Sequence, residues 1–152
     1  HEYARNSDVI FMANYAQTVN VIGCIKTTGA AAAWDTTGLP LLLYRREFGT
    51  IPVAVKCGRP IDVMAAWTAD RKALTIGVVN PLAEAREVPF TLNNASITGN
   101  GTVWTIAGTD PMLYNVPGEA PKVEIVESPA TGISDTLDVP GYSISLFRLP
   151  VK

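Results

Sequence analysis

Residues 141–148, GYSISLFR, decide the fold class. Tyr142, Ile144 and Leu146 alternate with the hydroxyls Ser143 and Ser145, the period of two that turns successive side chains to opposite faces of a strand. Working back along the chain, Val103, Thr105 and Ala107 show the same period. Further candidate strands are 53–57, 61–68, 73–79, 86–92 and 122–126, which with 102–107 and 141–148 make seven. Their spacing is near the ~8–12 residues that separate the strands of a sandwich. The breaks between them carry turn chemistry: Gly58-Arg59-Pro60, Asp70-Arg71-Lys72, Asn80-Pro81, Asn93-Asn94 and Asn100-Gly101. Residues 109–121, TDPMLYNVPGEAP, read as a long Pro-rich loop. Residues 51–152 are therefore expected to form an all-β, jelly-roll-like sandwich.

Residues 1–50 have another texture. Residues 1–7 are polar and read as a helix end and a turn. Val9-Ile10-Phe11-Met12-Ala13 is a continuous apolar run, the pattern of a strand buried on both faces, as in a parallel sheet. Residues 27–33 read as a loop or a short helical turn. A helix follows, capped by Thr36 or Thr37, with Pro40 in the first turn where a missing N–H costs nothing. Leu41, Tyr44 and Phe48 form its apolar stripe, widened by Leu42 and Leu43. Gly49 stands where a left-handed closing residue is wanted, and Pro52 blocks continuation. Helix end, buried strand, loop and helix make a terminal unit of a larger α/β fold. The chain opens at His1 without an initiator Met and is read as a C-terminal piece.

Composition narrows the function classes. The 152 residues carry a net charge of −2, and 17 % are charged. This gives neither the basic surface of a nucleic-acid binder nor a polybasic membrane patch. No apolar run approaches the ~18 residues of a membrane helix. The single His and the distant pair Cys24 and Cys57 lack zinc-ligand spacing, so no metal or cofactor is expected. Two buried free thiols are the simplest reading of the cysteines, with a disulfide as the other. No Gly-rich phosphate loop is present. A serine or cysteine hydrolase needs a histidine base, and only His1 exists.

Paired carboxylates remain, as used by glycosidases at separations of about 5–9.5 Å. Asp35, Glu47, Glu84/Glu87, Glu124/Glu127 and Asp135/Asp138 read as solvated charge, none in an apolar context that would raise its pKa. Gln17 is different. It follows the apolar run, where barrel enzymes present side chains to their substrates. Its carboxamide can hold two sugar hydroxyls, or equally satisfy backbone groups of its own loop. Trp67 and Trp104 lie within strands and read as core.

Residues 5–23, RNSDVIFMANYAQTVNVIG, and 36–52, TTGLPLLLYRREFGTIP, resemble the end of the barrel domain in the α-L-arabinofuranosidases of glycoside hydrolase family 51. The segment GTDPMLYNVPGEAPKVEIVE and the later PGYSISLFRL are similar to that family's closing sandwich. The resemblance implies the last strand and helix of a (β/α)8 TIM barrel in residues 1–50 and a β-sandwich in 51–152. It implies a retaining exo-hydrolase that removes terminal α-L-arabinofuranosyl units from arabinan, arabinoxylan or arabino-oligosaccharides. The acid/base and nucleophile glutamates would precede His1, so no catalytic residue falls in this chain. Gln17 matches the family glutamine that hydrogen-bonds the arabinose, and Asn20 matches a position read as structural. Trp34 borders the site, to stack on a sugar face or to pack in the core. The resemblance further implies an upstream portion of the same enzyme as partner, a homo-oligomer (a hexamer) and a cytoplasmic location, with secretion as the other possibility. The competing reading is a non-catalytic sandwich with a structural or carbohydrate-binding role.

Overall fold

The computed structural model describes residues 1–152. Along the chain run α1 (Glu2–Arg5), β1 (Ile25–Thr27), β2 (Ala32–Trp34), α2 (Gly38–Glu47), β3 (Ile51–Val53), β4 (Asp62–Trp67), β5 (Ala73–Asn80), β6 (Arg86–Pro89), β7 (Gly101–Ala107), β8 (Ile125–Ala130), β9 (Thr136–Val139) and β10 (Ser143–Pro150). Six strands form one antiparallel sheet in the order β3-β4-β5-β10-β7-β8. A ribbon of β6 and β9 stacks on it to make the sandwich, and β1 and β2 form a separate hairpin.

Strand β10 lies at the centre and serves two cores. Phe147 and Leu149 point to the ribbon, where they meet Leu74, Ile76 and Val78 of β5 and Leu137 and Val139 of β9. Leu146 points the other way, to Trp104, Ile106, Val123 and the helix residues Leu39 and Leu43. The sequence reading put one face of this strand inward and one outward. In fact Ser143, Ser145, Leu146, Phe147 and Leu149 are all buried, because α2 covers the Leu146 face while Ser143 and Ser145 share the ribbon-side face with Phe147 and Leu149. The helix packs closely where glycine permits it. A Cβ at Gly77 would collide with the Tyr44 hydroxyl, and one at Gly38 would come 2.8 Å from the Trp34 ring.

Several expectations need correction. The run 9–13 is not a buried strand here. It has no regular structure, and Phe11 is 97 % exposed. No strand of this chain lies beside it to pair its backbone or cover its side chains. Residues 27–33 close a hairpin, with Thr28 N–H donating to the Ala31 carbonyl at 2.8 Å. On α2 the buried positions are Leu39 and Leu43, while Leu41 is exposed. Gly49 is not left-handed. It is required because a Cβ there would strike the Trp67 carbonyl, and its N–H donates to Thr75 Oγ1 at 2.8 Å. Cys24 is buried, but Cys57 is exposed, and both thiols are free. Strand β9 was not anticipated, and β8 begins later than the expected 122–126.

Candidate functional site

Of the two candidate binding residues, Trp34 ends the β1–β2 hairpin, and Gln17 lies two residues before an isolated bridge to that hairpin. Trp34 stands opposite Ile25 in the hairpin, and on its other side Ile25 bridges to Val19, two residues after Gln17. Residues 17–23 turn sharply. Gln17 (φ 53°), Asn20 (φ 57°) and Val21 (φ 44°) all take left-handed backbone. For β-branched Val21 this is a true outlier, and such residues cost about 1–3 kcal/mol each. Gly23 admits no side chain, since a Cβ would stand 2.7–2.8 Å from the backbone of Val19, Asn20 and Gln17.

Side chains around the turn hold this shape. Asn20 Oδ1 accepts from Thr27 N–H at 2.8 Å, and its Nδ2 donates to Thr27 Oγ1 at 2.9 Å. Lys26 Nζ donates to the Val21 carbonyl at 2.6 Å and pairs with Asp35 at 3.1 Å. Tyr15 Oη donates to the Ile22 carbonyl at 3.3 Å. Asn20 therefore has the structural role read for it. The turn is braced by Asn20, Lys26 and Tyr15, which leaves the Gln17 carboxamide exposed. Trp34 is 40 % exposed. Its carbonyl accepts from Asn115 Nδ2 at 3.1 Å, a link from the sandwich.

Three carboxylates are only partly open to solvent, and each already holds a cation or an imidazole. Asp35 binds Lys26, Glu47 binds Arg148 at 2.9 Å, and Asp62 binds Arg5 and His1. His1 Nδ1 lies 2.6 Å from Asp62, and its Nε2 meets the Tyr44 hydroxyl. Burial first, and the Asp62 charge second, push the Tyr44 phenol well above its ordinary pKa. The phenol is thus held neutral, and the cluster fastens α1 to α2 and β4 rather than activating a nucleophile. Sequence reasoning missed this cluster, as well as Lys26 and Asn115. Their partners lie 61, 43 and 81 residues away for Asp62–His1, Tyr44–His1 and Asn115–Trp34, and no local spacing encodes them. Trp104 is core, as read, with its indole N–H donating to Glu127 at 2.8 Å. Trp67 packs against the ribbon-side core.

An irregular, strongly apolar segment thus leads through a strained turn into a β-sandwich buttressed by one helix. The family described as "Alpha-L-arabinofuranosidase C-terminal domain" matches residues 1–143, and the chain belongs to that family. A probable alpha-L-arabinofuranosidase C of Aspergillus flavus is 29 % identical over an alignment 165 positions long that covers 96 % of this chain and 32 % of that protein. The chain thus spans about a third of its curated relative. Among solved structures, an arabinose-bound MgGH51 α-L-arabinofuranosidase superposes with a TM-score of 0.84 at 17 % identity, over 97 % of this chain and 25 % of that one. The α-L-arabinofuranosidase of Thermotoga maritima, in an arabinose complex, superposes with a TM-score of 0.80 at 23 % identity, over 96 % and 35 %. At these identities the superpositions establish the fold.

Proposed function

We propose that this chain is the C-terminal part of a retaining, exo-acting glycosidase. Its substrates are terminal α-L-arabinofuranosyl residues of arabinan, arabinoxylan or arabino-oligosaccharides. The bond-breaking glutamates belong to a preceding (β/α)8 barrel, of which residues 1–50 supply the last strand and helix. The observation that carries this reading is the bare apolar segment inside the family match. Val9, Phe11, Met12, Val21 and Ile22 are all more than 60 % exposed. A soluble protein rarely leaves such a surface uncovered. Barrel neighbours would pair residues 9–13 as a strand and bring Gln17 to its C-terminal end, where barrel enzymes bind substrate. Gln17 then offers two donors and an acceptor to sugar hydroxyls, and Trp34 offers an aromatic face. A homo-oligomer and a cytoplasmic location belong to the same proposal.

The test is Gln17→Ala in the polypeptide that carries the barrel, with hydrolysis of an aryl α-L-arabinofuranoside as readout. Leaving sugar hydroxyls unpaired costs about 1–3 kcal/mol, so kcat/KM falls roughly 5- to 150-fold. Unchanged kinetics removes Gln17 from the site. Tight binding of arabinoxylan by residues 1–152 alone would favour a carbohydrate-binding module instead.

A further inference from the structure

We infer that Asn115, a residue of the sandwich, is a positioning residue for the hairpin that presents Trp34. Asn115 sits in the long loop between β7 and β8 and is 4 % exposed. Its side chain uses all of its hydrogen-bonding capacity. Oδ1 accepts from Lys122 N–H at 2.9 Å and Val123 N–H at 3.0 Å, and Nδ2 donates to the Val123 carbonyl at 2.7 Å. Those three bonds suffice to close the loop on itself. The remaining donor leaves the loop and reaches the Trp34 carbonyl at 3.1 Å. The same loop runs close to the hairpin turn: a Cβ added at Gly118, which takes φ +86°, would stand 3.7 Å from Ala31 Cβ.

From Trp34 the support passes onward. The next residue, Asp35, holds Lys26, and Lys26 holds the Val21 carbonyl in the strained turn after Gln17. The sandwich loop thereby anchors the hairpin that carries Trp34 and, through Asp35 and Lys26, the turn that follows Gln17. The functional meaning of this anchor rests on the reading that Gln17 and Trp34 face a furanoside.

The experiment compares ¹H–¹⁵N spectra of the 152-residue chain with those of Asn115→Asp, which keeps both acceptor bonds and loses both donors. Trp34→Phe assigns the Trp34 indole signal. That signal is expected to shift or broaden while those of Trp67 and Trp104 hold. A Trp34 signal that stays put, or three indole signals that move together, overturns the inference. The unaltered chain gives an independent check should the variant not fold: a nuclear Overhauser contact between the Asn115 side-chain amide and the Asp35 amide. Its absence also overturns the inference. In the polypeptide carrying the barrel, Asn115→Asp is expected to raise KM roughly two- to tenfold, the worth of one hydrogen bond, with kcat little changed. A displaced Trp34 signal with unchanged kinetics upholds the anchor and overturns the placing of Trp34 at the substrate.

Discussion

Tyr44 joins three parts of the chain through one oxygen. Its hydroxyl meets His1, lies over Gly77 of β5, and shares His1 with Asp62 of β4. Burial favours the neutral phenol over the phenolate, so its pKa in the fold lies above that of the unfolded chain. The sign follows from linkage. The stabilisation is complete below the unfolded value of about 10 and is lost as pH rises above it toward the folded value, by about 1.4 kcal/mol per pH unit. Urea unfolding between pH 9 and pH 12 is therefore expected to show a falling stability, and Tyr44→Phe a shallower fall. Equal alkaline slopes in the two proteins would contradict the burial argument. At pH 7 the variant loses the hydrogen bond to His1, worth about 1 kcal/mol. The left-handed Val21 belongs to this scale as well. Its strain persists because Lys26 and the lack of room at Gly23 leave the backbone no alternative.

Among the elements, β10 carries the most. It is hydrogen-bonded along its length to β5 and over six residues to β7, and it feeds both cores. Leu146 is fully buried between Trp104 and the helix residues Leu39 and Leu43. Leu146→Ala leaves a cavity at that junction, and such truncations cost about 2–5 kcal/mol. Denaturant unfolding is expected to show a midpoint lowered accordingly at constant slope, and a loss below about 1 kcal/mol would mean that α2 collapses onto the gap. This strand was legible because residues 142–146 alternate, and the turn at Asn80-Pro81 stops β5 where turn chemistry says it should, whereas β6 ends at Pro89, short of the expected 86–92. Strand β9 was not legible. Only Leu137 and Val139 alternate within its four residues, and charged Asp138 stands opposite Glu87. The run 9–13 takes no strand here for a different reason. Its pattern encodes burial on two faces, but burial needs neighbours, and this chain places none beside it. The candidate loop was half legible. Gln17 is conspicuous as a lone amide after an apolar run, whereas Asn115 looks like any other loop asparagine until the fold closes 81 residues of separation.

At the scale of the molecule, one surface dominates behaviour in solution. Phe11, Val9, Val21 and Ile22 stand open along the segment that precedes the hairpin. The chain alone is expected to bind hydrophobic dyes and to sediment with a concentration-dependent coefficient. Phe11→Ser combined with Ile22→Ser should suppress both, while thermal stability moves by no more than about 0.5 kcal/mol, since neither side chain is packed. Persistent association in the double variant would place the sticky surface elsewhere. The central position of β10 also has a consequence for biogenesis. Its neighbours β5 and β7 both precede it in the chain. As the polypeptide leaves the ribosome, β3–β4–β5 and β7–β8 therefore emerge as two separate ribbons, each with a bare inner edge. Only β10, translated after both, can zip them into one sheet. Until then the nascent protein presents two aggregation-prone edges at once, and it is during synthesis that such a chain most needs a chaperone.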